Sequence, residues 1–323
     1  FRSVNIAAGG GILSTVAATR ASDAETLAAH GRRWLDEMLG HGVTTIEAKS
    51  GYGLDLETEI RLLQVAWDLG REGPIDIVPT FLGAHAVPPE FRARPDGVEA
   101  YVRSVIEEQL PGVAAHGRAR FCDVFCEEGV FTVAESREIL DAGRRHGLAL
   151  RVHADELCWT GGAELAAEMG ARSADHLLFV SEAGMAALAR ASCTATLLPA
   201  AAFYLRLGRQ APARALIAAG VPVALASDGN PGGGLSPSLP FAIALGCFAL
   251  GMSLEEAITA ATINGAYSLD VHGERGSLEP GKRADLLVLR GNRPLDLVRV
   301  GIAAIRTVIK DGRVVVDDGR IAA

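Results

Sequence analysis

The sequence predicts an α/β protein built on a parallel sheet. Three observations carry that expectation: seven short apolar runs of strand length, helix-patterned stretches between them, and polar groups recurring at the C-terminal ends of the runs. Continuous apolar runs suit strands covered on both faces, the usual condition of a parallel sheet. The C-terminal stretch 273–323 departs from the alternation and reads as short strands joined by tight turns.

Taken in chain order, Asp23 to Gly40 carries its apolar residues near helical spacing. The strand-like runs follow: Val43 to Ala48, Ile75 to Leu82, Phe121 to Phe125, Leu148 to Val152, Ser173 to Leu178, Thr194 to Leu198 and Val221 to Ala226. Thr132-Val-Ala-Glu135 has the capping-box pattern, in which hydroxyl and carboxylate each satisfy an orphan backbone N–H, and opens a helix expected to stop at Gly147. Ser253-Leu-Glu-Glu256 is a second box. Closure into a (β/α)8 TIM-type barrel needs one strand more than the seven visible, and that strand is expected before Phe1. An open doubly wound sheet competes, but no G-x-G-x-x-G follows the first run, and polar strand ends recur on many strands instead of at one crossing point. Gly276 to Leu289, and Val308 to Val316 around Asp311-Gly312, suggest a small β-sandwich. The expected domains are therefore 1–272, the barrel, and 273–323, the C-terminal part of the sandwich.

Composition excludes several classes. With 323 residues, 49% apolar and 22% charged, the chain can bury a large core. A net charge of −8 without a Lys/Arg stripe argues against a nucleic-acid partner, and no uncharged apolar run is long enough to span a membrane. The five cysteines form no C-x-x-C pair, which fits free thiols in a reducing, cytoplasmic setting. No signal peptide is visible. The chain opens on Phe1 without an initiator Met, so a preceding segment is expected. Apolar helices such as Leu239 to Met252 are the place to expect a homodimer contact.

The chemistry is concentrated at the strand ends. Arg151-Val-His-Ala-Asp-Glu156 ends an apolar run in His153, with Glu156 three residues on, a pattern for a metal ligand beside an acid/base carboxylate. Val221 to Asn230 repeats the arrangement, ending in Asp228-Gly-Asn230. Glu47, Lys49, Ser50 and Tyr52 follow the first run, His85 the second, Glu127 and Glu128 the third, and Asp175 and His176 the fifth. If the sheet closes, His153, His176 and Asp228 converge as nitrogen and oxygen ligands suited to zinc or iron. Lys49 reads as an internal ion-pair partner. The backbone of Asn230 to Gly234 allows close approach of an anion, and phosphate and carboxylate both remain open.

These segments resemble the amidohydrolase superfamily over almost the whole chain. The resemblance rests on Gly9-Gly-Gly-Ile-Leu-Ser-Thr15, Glu47-Ala-Lys-Ser-Gly-Tyr-Gly53, Phe81-Leu-Gly-Ala-His85, His153-Ala-Asp-Glu156, Ser173-Ala-Asp-His176, Asp228-Gly-Asn-Pro-Gly232 and Gly276 to Leu289. It implies a barrel with a small β-sandwich made from both chain ends, and one divalent metal ion, zinc or iron, bound by His153 and Asp228. It also implies that Tyr52, His85 and Glu156 contact a small ring substrate, while Asn230, Gly232 and Gly233 meet its carboxylate end. Gly233 stands where the family usually has a hydroxyl residue. Two departures matter: the His-x-His pair would lie before Phe1, and no carboxylated Lys follows the third run, where Cys126-Glu127-Glu128 stands. The second points to one metal instead of two.

The implied reaction is hydrolysis of the cyclic amide 4-imidazolone-5-propanoate to N-formimidoyl-L-glutamate in histidine degradation. Asp228 would take a proton from water, Glu156 would pass one to the departing nitrogen, and His85 and His176 would stabilise the oxyanion. Another cyclic-amide hydrolase, a heteroaromatic deaminase, or a non-catalytic relative remain the alternatives.

Overall fold

The computed structural model describes residues 10–322. Phe1–Gly9 and Ala323, and with them the Gly9 end of the first motif and the outer limits of both expected domains, lie outside the described residues. Seven strands, β1 (Thr45–Lys49), β2 (Asp76–Ala84), β3 (Phe121–Cys126), β4 (Ala149–Ala154), β5 (Ser173–His176), β6 (Thr194–Leu197) and β7 (Val223–Leu225), pair in parallel in chain order. Each apolar run became a strand, with ends shifted by no more than two residues. β3, β5, β6 and β7 are buried along their whole length, as strands covered on both faces must be.

Helices supply the cover. Asp23 caps Ala24–Gly40 by accepting from Thr26 N–H, and both capping boxes form, Thr132 opening Val133–Arg145 and Ser253 opening Leu254–Ala261. The glycine-rich start is helical: Gly10–Ala21 forms a helix that places Gly11 against Gly232.

The sheet is curled, and the side chains prove it. Lys49 Nζ on β1 lies 2.6 Å from Asp123 on β3 and 3.2 Å from Asp175 on β5. In a flat sheet with strands roughly 4.8 Å apart, β1 and β5 would stand about 19 Å from each other. Only a sheet rolled around an interior brings them together. Closure into eight strands is not seen among the described residues, where β1 and β7 have no second strand partner. A cavity of about 1150 Å³ runs from the strand ends down between β1 and β7, lined by Ile46 and Ala48 on one side and Ala224 and Leu225 on the other.

The C-terminal region forms one antiparallel sheet, ordered β11-β10-β9-β8, from β8 (Leu286–Leu289), β9 (Ile305–Lys310), β10 (Arg313–Asp317) and β11 (Arg320–Ile321). Asp311 and Gly312 both have positive φ, 50° and 78°, the geometry of a two-residue hairpin turn that glycine makes accessible. One expectation changes here. Gly276 to Lys282 is not a strand, because Lys282 N–H closes a turn on the Glu279 carbonyl at Pro280-Gly281. Of the expected sandwich, one antiparallel sheet lies among the described residues, and it packs Ile305, Val308 and Val316 against Leu35, Met38 and Leu39 of the helix Ala24–Gly40. No helix among the described residues is long and apolar enough to cross a membrane, and all five cysteines are free.

Candidate active site

The C-terminal strand ends bring most of the expected residues to one mouth of the cavity. His153 closes β4, with its ring centroid 5.2 Å from His176, 5.8 Å from His85 and 5.7 Å from Phe125. Tyr52 meets His85 edge-on at 5.2 Å, and Glu156 Oε1 lies 3.5 Å from His176 Nδ1. Asp228, Asn230, Gly232 and Gly233 line the same cavity. Three of these strand ends carry residues in the left-handed region: Asp155 (φ 51°), His176 (φ 76°) with Leu177 (φ 63°), and Asp228 (φ 51°). Such conformations cost about 1–3 kcal/mol each and persist where surrounding contacts over-determine them.

Those contacts are visible as clamps on each loop. Glu59, buried on the helix Leu56–Glu72, accepts from the backbone N–H groups of Gly51, Gly53 and Leu54, and so fixes the turn bearing Tyr52. Glu127 accepts from Glu156 N–H (2.9 Å) and Leu157 N–H (2.8 Å), and Asp155 accepts from Thr160, Gly161, Gly162 and Ala163 N–H. Both therefore hold the backbone around Glu156, while Glu128 is exposed. Asn230 is a clamp as well: its Nδ2 donates to the Asp228 carbonyl, and its Oδ1 accepts from Gly232 and Gly233 N–H at 2.7 and 2.8 Å. The close packing of this loop requires Gly234, where an added Cβ would fall 1.4 Å from the Asp228 carbonyl oxygen. As the loop stands, the amide groups expected to meet a carboxylate bond to one another.

Below the mouth lies a layer of charge that the strand-end reading did not anticipate as a unit. Lys49 Nζ contacts Glu47 (2.9 Å), Asp123 (2.6 Å) and Asp175 (3.2 Å). Arg151, fully buried, places Nε 3.0 Å from Glu47 and donates to the Ser268 carbonyl. The signal available in the sequence was a charged residue inside an apolar strand, Asp123 in Phe-Cys-Asp-Val-Phe-Cys and Arg151 in Ala-Leu-Arg-Val-His-Ala, since buried charge must find a partner.

The hydrogen bonds assign the imidazole tautomers. His85 Nδ1 lies 3.0 Å from the Gly51 carbonyl, which can only accept, so Nδ1 carries the proton. Burial, then the neighbouring His153, lowers the His85 pKa to about 3, so at neutral pH its Nε2 is an acceptor. An acceptor cannot stabilise an oxyanion, and that part of the expectation for His85 is withdrawn. His176 is likewise held neutral, near 3, by burial and by His153. His153 differs. Burial presses its pKa down, but Asp123, 3.1 Å from Nδ1, outweighs burial and leaves the ring more basic than usual, with Nε2 free for a metal ion. Burial, then Asp228, pushes Glu156 up to about 8, and burial pushes Asp228 up to about 6.

Asp123, His153 and Asp175 present ligand atoms within 4.8 Å of one another, a spacing that suits a cation. The cation among them is already Lys49 Nζ. The donor set left for a metal is a basic imidazole nitrogen, His153 Nε2, with the Asp228 carboxylate, and borderline ions such as zinc accept both. The residues present fit the expected group.

A model of the amidohydrolase family matches residues 8–316. In overall shape the structure resembles an adenosine deaminase from Xanthomonas campestris with bound zinc (TM-score 0.70, 16% identity, 95% of this chain and 73% of that one). It also resembles a triazine hydrolase variant (TM-score 0.73, 18% identity, 99% and 79%). At those identities the likeness establishes the fold alone. Sequence relatives are nearer: the imidazolonepropionases of Alkaliphilus metalliredigens (50% identical, 98% of this chain and 74% of that protein), Shouchella clausii (50%, 97% and 69%) and Syntrophobacter fumaroxidans (51%, 94% and 70%). The chain belongs to the amidohydrolase family and, within it, groups with the imidazolonepropionases.

Proposed function

We propose that this chain hydrolyses 4-imidazolone-5-propanoate to N-formimidoyl-L-glutamate, with Glu156, Asp228 and His176 acting on the ring and one zinc or iron ion held by His153 and Asp228. The observation that carries the reading is the pairing of two carboxyl groups with opposite tasks at one cavity mouth, beside a histidine whose Nδ1 is already engaged. The ion supplies Lewis acidity, enough to bring the pKa of water from 15.7 to about 7.

The chain's own residues do the rest. Asp228, a carboxylate beside the ion, accepts the proton of the attacking water. Water oxygen bonds to the ring carbonyl carbon, and the carbon–nitrogen amide bond breaks. Glu156, still protonated at pH 7 because its pKa is about 8, gives its proton to the departing nitrogen and then recovers one from Asp228 or solvent. The His85 acceptor nitrogen reads a ring N–H, and Tyr52, kept as a neutral phenol by burial and then Asp228, offers a hydroxyl donor. His176, buried beside Glu156, is the remaining imidazole positioned to stabilise the oxyanion. Asn230, Gly232 and Gly233 meet the propanoate after exchanging their mutual hydrogen bonds for the carboxylate.

The same reading covers the larger scale. An eight-stranded barrel is favoured by the cavity between β1 and β7, and a cytoplasmic setting by five free thiols. A second copy of the chain would be received on the apolar helix Leu239–Phe248, where Phe248 is 77% exposed.

The test is the loss of substrate absorbance on adding the intact, metal-loaded protein. Asp228→Asn should lower kcat by roughly 10²–10⁴-fold, the range of general acid–base catalysis, with an unchanged circular dichroism spectrum. Near-normal turnover in that variant would rule the assignment out.

A further inference from the structure

Three carboxylates converge on one ammonium inside the curled sheet, and none of the proposed catalytic steps uses it. Glu47, Asp123 and Asp175 each place an oxygen between 2.6 and 3.2 Å from Lys49 Nζ. Other protein groups meet the same carboxylates: Asp123 Oδ1 accepts from Val124 N–H, Asp175 Oδ1 accepts from Ser173 and faces Arg151, and Glu47 Oε1 accepts from Thr80. A pocket with three anionic oxygens around one point is the coordination shell of a divalent ion in all but the occupant. Zinc–carboxylate distances of about 2.0–2.2 Å would need the oxygens to close in by roughly 0.5–1 Å.

We propose that the Lys49 ammonium is the built-in cation of this cluster and the residue that holds the site to a single metal ion. It fills the place a second ion would take, and a divalent ion brought there would meet a fixed positive charge. It also holds Asp123 in place, turned towards His153 Nδ1, so that only Nε2 is presented at the mouth. Lys49 is thus a positioning residue that sets metal stoichiometry. The inference rests on the metal reading given above.

The experiment counts zinc per chain by elemental analysis after dialysis of the intact protein, in wild type, Lys49→Ala and Lys49→Arg. One ion in wild type, two in Lys49→Ala and one in Lys49→Arg is the expected result. A folded Lys49→Ala that binds one ion, or a wild type that binds two, overturns the role of Lys49 while leaving the metal reading intact. A wild type that binds none overturns the metal reading, and this inference with it. If Lys49→Ala does not fold without metal, zinc titration followed by circular dichroism decides: recovery of the fold with two ions bound supports the inference, and no recovery overturns it.

Discussion

His153 owes its usefulness to the nitrogen it does not offer. With Nδ1 bound to Asp123, the ring cannot flip without losing a charge-assisted hydrogen bond, and Nε2 is fixed at the cavity. Asp123→Asn should therefore weaken zinc affinity by roughly 10–100-fold, the usual effect of removing the partner of a ligating histidine; competition with a chelator measures it. An unchanged affinity would mean that packing on Phe125, His85 and His176 is enough to hold the imidazole. At this scale the sequence was informative for one kind of residue. His153, Glu156 and Asp228 stood out because each follows an apolar run. Lys49 read as an ion-pair partner, but its cluster did not stand out, because Asp123 and Asp175 lie 74 and 126 residues away and meet it only when particular strands face each other.

At the scale of elements, the loops bearing Tyr52 and Glu156 are each tied down by an acidic residue from another element, Glu59 and Glu127. Glu59 is the clearest case, with three backbone donors converging on one buried carboxylate. Removing that carboxylate strands three N–H groups at about 1–3 kcal/mol apiece, so Glu59→Ala should cost several kcal/mol in urea unfolding. In whatever fraction remains folded, KM should rise more than kcat falls, because Tyr52 loses its support before any reacting group does. An equal loss in kcat would place the loop in the chemistry itself. Local signals made the elements legible: both capping boxes formed, and the Asp311-Gly312 turn appeared where the dipeptide predicted it. Non-local signals did not. Nothing in Leu-Glu-Thr-Glu distinguishes Glu59, which is buried, from Glu57, whose side chain is 86% exposed.

For the whole molecule, burial of the site makes stability depend on pH from both sides. His85 and His176 have folded pKa values near 3, below the ordinary 6.5, so their contribution is complete above pH 6.5 and is lost as pH falls towards 3. Glu156 works in the opposite sense. Its pKa of about 8 lies above the ordinary 4.5, so stability is complete below pH 4.5 and declines as pH rises through 8. Metal-free protein should accordingly show a urea midpoint that drops on the acid side of pH 6.5, and Glu156→Gln should raise the midpoint at pH 8.5 and not at pH 4. A flat profile for both would contradict the buried, neutral state of these groups.

The Lys49 contacts with β3 and β5 carry a kinetic consequence. Strands so distant in sequence cannot exchange charge until β1 to β5 have assembled and rolled up, and contacts of such separation form slowly. Until that moment Asp123, Asp175 and Arg151 must remain hydrated, since an unpaired charge in a half-formed core is costly. Interactions absent from a transition state govern the rate of leaving the native state more than the rate of reaching it. The ion cluster therefore acts as a latch: it does little to hasten folding, and it slows the opening of a sheet whose two outer strands, among the described residues, are paired on one side only.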